Sequence, residues 1–149
     1  MTTEKYLQRL EWLENTIRSR QEKVFYGRSK VTNMVAQTDK DPVQTSPKDT
    51  MSEILADVAD TDKELQVYVA EYKLIMSQVD TLTGVYSPAL IYRRYAKGDS
   101  VSEIARAMHI SRSTAYRVHR EALEEFEDLF GKIYKKAKNY RNMTQFDTL

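Results

Sequence analysis

One stretch limits the folds open to this chain more than any other: Val101 to Val118, reading VSEIARAMHISRSTAYRV. Its apolar residues run Ile104, Ala105, Met108, break, take up again at Ile110, and continue at Ala115 and Val118. Two short helices that cross steeply need small residues at the crossing, and Ala105 and Ala115 supply them. The gap at the turn needs an apolar plug, which Ile110 provides. Ser100 and Glu103 have capping-box spacing for the first helix, since a hydroxyl and a carboxylate three residues apart can satisfy each other's free N–H groups. Ser111 is an N-cap for the second helix. The spacing therefore predicts a helix-turn-helix, with His109 in the turn. It leaves Arg112, Ser113, Tyr116, Arg117 and Arg120 on the outer face of the second helix. Those side chains hydrogen-bond base edges and phosphates. The competing reading is a three-helix piece with no nucleic-acid role.

The rest of the chain reads as helix around this motif. From residue 3 to about 26, Tyr6, Leu10, Leu13, Ile17 and Val24 recur at a spacing of 3.5, which suits a long helix paired with another. Trp12 lies off that seam, at a core edge. Residues 27–46 lose periodicity and collect Gly27, Pro42 and many Thr, Asp, Gln and Asn, which predicts a loop. Ser46 and Pro47 then start a second long helix, Ser capping and Pro at the first position. It is expected to run to about Leu82 and to span about 50 Å at 1.5 Å per residue. Its apolar residues form two adjacent rows, Met51, Leu55, Val58, Leu65, Val69, Tyr72, Met76, Val79 and Ile54, Tyr68, Ile75, Leu82 beside them. So wide a face needs more than one neighbour. Ser87-Pro88 repeats the start signal for a short helix that Gly98 ends in a left-handed turn. Leu90, Ile91 and Tyr95 pack on the motif, and Arg93 and Arg94 are candidate phosphate anchors. After the motif, the second helix continues through Ala122, Leu123, Phe126 and Phe130, with an acidic, solvated face over residues 121–128. Gly131 is expected to interrupt it, and the basic tail over 131–149 is open to a short helix, a DNA-contacting arm or a frayed end, with partial disorder the expectation.

Charge separates the chain into blocks. Residues 41–86 carry three Lys/Arg against nine Asp/Glu, whereas residues 87–120 carry seven against two. A basic excess on the motif is the electrostatic footprint of a polyanion partner. The acidic middle would be repelled by the same polyanion. The chain has no cysteine, which excludes a disulfide framework and thiolate metal sites. A charged N-terminus without an apolar core argues against a signal peptide, and no run approaches the ~18 apolar residues of a membrane span. A cytoplasmic location follows as the simplest expectation. The two histidines, His109 and His119, have no carboxylate or cysteine at ligand spacing, and no glycine-rich phosphate loop exists. Neither an enzyme nor a cofactor is expected.

The segment YRRYAKGDSVSEIARAMHISRSTAYRVHREALEEF resembles region 4 of sigma-70-type factors. With the YLQRLEWLENTIRSRQEKV helix, the polar loop and the long acidic helix before it, residues 4–130 resemble the phage late-gene regulators of Gram-positive bacteria, the RinA/ArpU type. That resemblance implies binding to a late promoter in a bacterial host cell, activation of transcription, and RNA polymerase as partner. The positions carried over are Arg112, Ser113, Tyr116, Arg117 and Arg120. One departure is His109, where many helix-turn-helix proteins have Gly; a left-handed residue with a Cβ costs about 1–2 kcal/mol. SRSTAYR also resembles the DNA-binding end of resolvases and invertases, but their catalytic domain has no counterpart here.

The expected architecture is all-α: a helical hairpin with a coiled-coil-like seam over 1–84, a sigma region 4-like module over 85–130, and the tail. Double-stranded DNA is the expected partner, with Arg112 and Arg117 on base edges and Arg120, Arg93 and Arg94 on phosphates. Homo-oligomerisation through the hairpin is the second expectation. Two rival functions are a small terminase-like packaging protein, which usually places its helix-turn-helix before its oligomerising helices, and a helical interaction protein that does not bind DNA.

Overall fold

A computed structural model describes residues 1–37 and 47–138, and the described residues hold helices and no strand. The order is α1 (Thr3–Leu7), α2 (Arg9–Gln37), α3 (Pro47–Asp80), α4 (Ser87–Ile91), a π-helical turn (Tyr92–Ala96), α5 (Val101–Ala107) and α6 (Arg112–Tyr134). The all-α expectation holds, with long N-terminal helices before a C-terminal helix-turn-helix. Ser46 and the start of the α3 apolar row at Met51 lie outside the residues whose side chains are described. Two compact units emerge: Met1–Glu14 with the described residues from Glu71 onward, and Asn15–Ala70. This grouping differs from a hairpin over 1–84 followed by a module over 85–130.

In the first unit, α1 and the start of α2 bury Tyr6, Leu7, Leu10 and Leu13 completely. Gln8 between them keeps right-handed helical angles, so the chain scarcely breaks there. Ile75 and Val79 join this core from the end of α3, Leu82 from just after it, and Phe126 and Tyr134 from α6. Tyr6 stacks on Tyr134 with ring centroids 4.5 Å apart and meets Phe126 at 5.9 Å. Its buried hydroxyl donates to Gln78 Oε1 at 2.9 Å, so the polar end of the ring is satisfied. Burial pushes the Tyr6 phenol well above the ordinary tyrosine range. Arg9 grips Glu71 through two parallel bonds, Nε to Oε1 at 2.9 Å and Nη2 to Oε2 at 3.1 Å. The Arg9 guanidinium also lies 3.9 Å over the Trp12 ring, which is 44% exposed. Trp12 thus sits at the core edge.

Two expectations about the end of this unit need correction. Gly131 does not interrupt α6. The helix passes through it to Tyr134, because burying Tyr134 outweighs the roughly 1 kcal/mol that a helical glycine costs. The tail is therefore helical up to Tyr134 and described to Lys138, and residues 139–149 lie outside the described part. Nor is the acidic run 121–128 a plain solvated face. Glu125 accepts from the Thr83 backbone N–H and hydroxyl at 3.0 and 2.8 Å, and Glu127 accepts from Thr3 at 3.1 Å and pairs with Lys135. Lys135, then Thr3, hold the Glu127 carboxyl below its ordinary range.

In the second unit, α2 and α3 run antiparallel. Arg20 pairs with Glu64 at 3.1 Å and Lys23 with Asp57 at 3.3 Å, so partners descend α3 as they ascend α2. Of the loop predicted over residues 27–46, residues 27–37 instead continue α2, while 38–46 lie outside the described residues. The reason is visible at Gly27. A Cβ placed there would stand 2.4 Å from Val58 Cγ2, so this glycine admits a neighbouring helix rather than ending its own. Of the two α3 rows, Val58, Ile75, Val79 and Leu82 are buried, whereas Leu55 is 48% exposed.

Candidate nucleic-acid interface

The interface is built on α5, a four-residue turn and α6. Ser100 opens α5 with both halves of a capping box: its Oγ accepts from the Glu103 N–H at 3.2 Å, and Glu103 Oε2 accepts from the Ser100 N–H at 2.8 Å. These bonds, the backbone N–H first, hold the Glu103 carboxyl below its ordinary range. Val101, Ile104 and Ala105 face inward on α5, and Ala115, Val118 and Ala122 face inward on α6. The small residues expected at the crossing, Ala105 and Ala115, are 2% and 0% exposed. The Ile110 N–H donates back to the Ala105 carbonyl at 3.0 Å, which closes the turn with the Ile110 side chain half-buried.

His109 carries the strain anticipated for the turn. Its φ is +56°, the one left-handed non-glycine among the described residues. Gly98, which ends the π-helical turn, has φ +77°. A Cβ there would also stand 3.0 Å from Glu11 Oε1. Ser111 then caps α6, accepting from the Thr114 N–H at 3.1 Å.

Beyond that cap the first turns of α6 present the sequence-predicted residues together. Arg112, Ser113, Tyr116, Arg117 and Arg120 are all exposed. Ser113 Oγ lies 3.2 Å from Ser111 Oγ, and Arg117 reaches Glu121 only at 4.0 Å. A contact that long between two groups more than half exposed contributes little, so Arg117 remains available. Arg120 also lines a cleft of about 380 Å³ beside Glu4, Glu124 and Glu127. It therefore has carboxylates for neighbours as well as solvent.

Arg93 and Arg94 sit in the π-helical turn and are only partly exposed. Arg93 Nη1 approaches Asp99 Oδ2 at 3.4 Å, and Arg94 Nη1 donates to the Asp99 carbonyl at 3.5 Å. Both thus tie down the approach to Gly98. His119, on α6, is a half-buried packing residue. Its Nε2 is 2.9 Å from the Tyr95 hydroxyl. Burial first, then the nearby Arg94 charge, lowers its basicity below the ordinary value of 6.5. Burial also raises the Tyr95 phenol to about 12. Sequence reasoning passed over Arg106, an exposed cation in the last turn of α5 directly before the turn. Its signal was its place outside the Val101, Ile104, Ala105 stripe.

Three helical segments, two of them crossing at paired alanines and the last exposing basic and hydroxyl side chains after its N-cap, define a helix-turn-helix DNA-binding region. In agreement, the family model described as a homeodomain-like domain matches residues 89–129. No curated protein and no solved structure matches the chain. Among the described residues, no helix is long and apolar enough to cross a membrane, and no group of three or more His, Cys, Asp or Glu is placed to hold a metal ion.

Proposed function

We propose that this protein is a sequence-specific regulator of transcription that reads duplex DNA with the start of α6. The observation that carries the reading is the clustering of Arg112, Ser113, Tyr116, Arg117 and Arg120 on the exposed face of a helix whose opposite face is locked by Ala115 and Val118. Arg112 and Arg117 read base edges, a bidentate arginine–guanine pair contributing about 1–3 kcal/mol of discrimination. Arg120, Arg93 and Arg94 act on phosphates. Their charge lowers affinity for all sequences alike when removed.

The resemblance of residues 4–130 to the RinA/ArpU type supports the finer reading, an activator of phage late genes that works with RNA polymerase in the bacterial host. Self-association through the long helices supplies the second DNA contact that one small basic module needs for tight binding. The protein is not an enzyme on this reading. Footprinting on the DNA next to its own gene, with and without polymerase, tests it. Protection together with raised polymerase occupancy is the expected result. Protection without it removes the activator role. The absence of protection anywhere in that region, or protection that survives Arg112→Ala with Arg117→Ala, rejects the assignment of the site.

A further inference from the structure

The unit Asn15–Ala70 is poorly covered by its own residues. Among its described side chains, Val24 and Val58 are the only buried apolar ones. The other inward-facing residues, Ile17, Ile54, Leu65 and Val69, are only half-buried, so two helices of this length gain little burial to set against the conformational entropy of ordering them. Meanwhile Phe25 is 73% exposed, Tyr26 67%, Val67 65% and Leu55 48%. A groove of about 460 Å³ is lined by Tyr26, Ile54 and Val58 together with the charged Glu22, Lys23, Lys30 and Asp57.

The charges indicate what covers these faces. Residues 15–36 of α2 hold five Lys/Arg and one Glu, whereas residues 52–70 of α3 hold five Asp/Glu and one Lys. A foreign partner of either sign would be attracted by one helix and repelled by the other. A second copy related by a two-fold axis meets no such conflict, since each basic α2 then faces the partner's acidic α3 and the same contact occurs twice. We propose that Asn15–Ala70 pairs face to face with a second copy of itself into a four-helix bundle, α2 of each chain lying against α3 of the other. This deepens, and rests on, the self-association in the proposed function.

The test is sedimentation equilibrium of the full chain without DNA, so that its outcome is independent of whether the chain binds DNA. Arg28, Lys30, Glu53 and Asp60 are exposed and form no ion pair among the described residues, so reversing them spares the ion pairs within the chain and removes only the approach of Lys30 to the Tyr26 ring at 5.7 Å. The wild type is expected as two copies, with an association that weakens as salt rises. Arg28→Glu with Lys30→Glu, and separately Glu53→Lys with Asp60→Lys, each weaken self-association tenfold or more, because every changed charge acts twice. An equimolar mixture of the two variants regains pairs, since the reversed α2 of one fits the reversed α3 of the other. That mixing arm separates a lost interface from a lost fold. A wild type that stays single at tens of micromolar, a ring of many copies, or a mixture that associates no better than either variant alone would overturn the proposal.

Discussion

Tyr6→Ala is the substitution that best probes how the DNA-binding unit is held together. Tyr6 is completely buried, stacked on Tyr134 and bonded to Gln78. Truncating a buried aromatic ring costs about 3–5 kcal/mol. Leaving the buried Gln78 amide without its partner costs about 1–3 kcal/mol more. The sum approaches the whole stability of a small domain, about 5–15 kcal/mol. Tyr6→Phe keeps the ring and loses only the hydrogen bond, so it costs the second amount alone. Urea unfolding followed by far-UV circular dichroism measures both. DNA binding by fluorescence anisotropy, followed as temperature rises, reports when α6 is lost. Tyr6 lies more than 100 residues from the recognition residues in sequence, yet binding is expected to fail in Tyr6→Ala at a temperature where the wild type still binds. A change in stability under 1 kcal/mol, or helix loss that leaves DNA binding intact, would refute the inclusion of the N-terminal helix in this unit.

Other outcomes follow from single contacts. His109→Gly relieves a left-handed Cβ and stabilises the first unit by about 1 kcal/mol after the added entropy of glycine in the unfolded chain, read as a raised urea midpoint; a lowered midpoint contradicts the strain argument. Ser111→Ala removes the cap of α6 and costs about 1 kcal/mol, checked in the same way. Gly27→Ala would stabilise an ordinary exposed helix, but here its Cβ meets Val58 Cγ2, so the thermal midpoint should fall and Val58→Ala in the same chain should recover part of it. His119 has a folded pKa depressed below 6.5, so the folded state binds its proton less readily than the unfolded one. Its contribution is complete above pH 6.5 and declines as pH falls from there towards the folded value; NMR titration of the ring should give a midpoint under 6.5, and a midpoint at or above it would contradict the burial argument.

The helix-turn-helix could be read from sequence because its determinants are local. A capping box spans four residues, Ala105 and Ala115 lie ten apart, and a left-handed turn forces one residue into an uncommon conformation whatever surrounds it. The exposed face of α6 followed from the same spacing, because the residues between Ala115 and Val118 have nowhere else to point. Misreadings arose where distant contacts override local preference. Gly27 and Gly131 look like breakers, but one admits Val58 and the other lies in a helix held by Tyr134 against Tyr6. Glu125, Glu127 and His119 look like surface until Thr83, Thr3 and Tyr95 arrive from elsewhere in the chain.

The sequence alone determined that this is an all-α protein with a basic helix-turn-helix near its end, since period, caps and charge are properties of neighbouring residues. Only the tertiary structure decided that the first fourteen residues belong with that motif, and that Arg93 and Arg94 turn towards Asp99. Those outcomes depend on which of several apolar stripes pair, and the pairing is chosen by total burial across the chain rather than by any one segment.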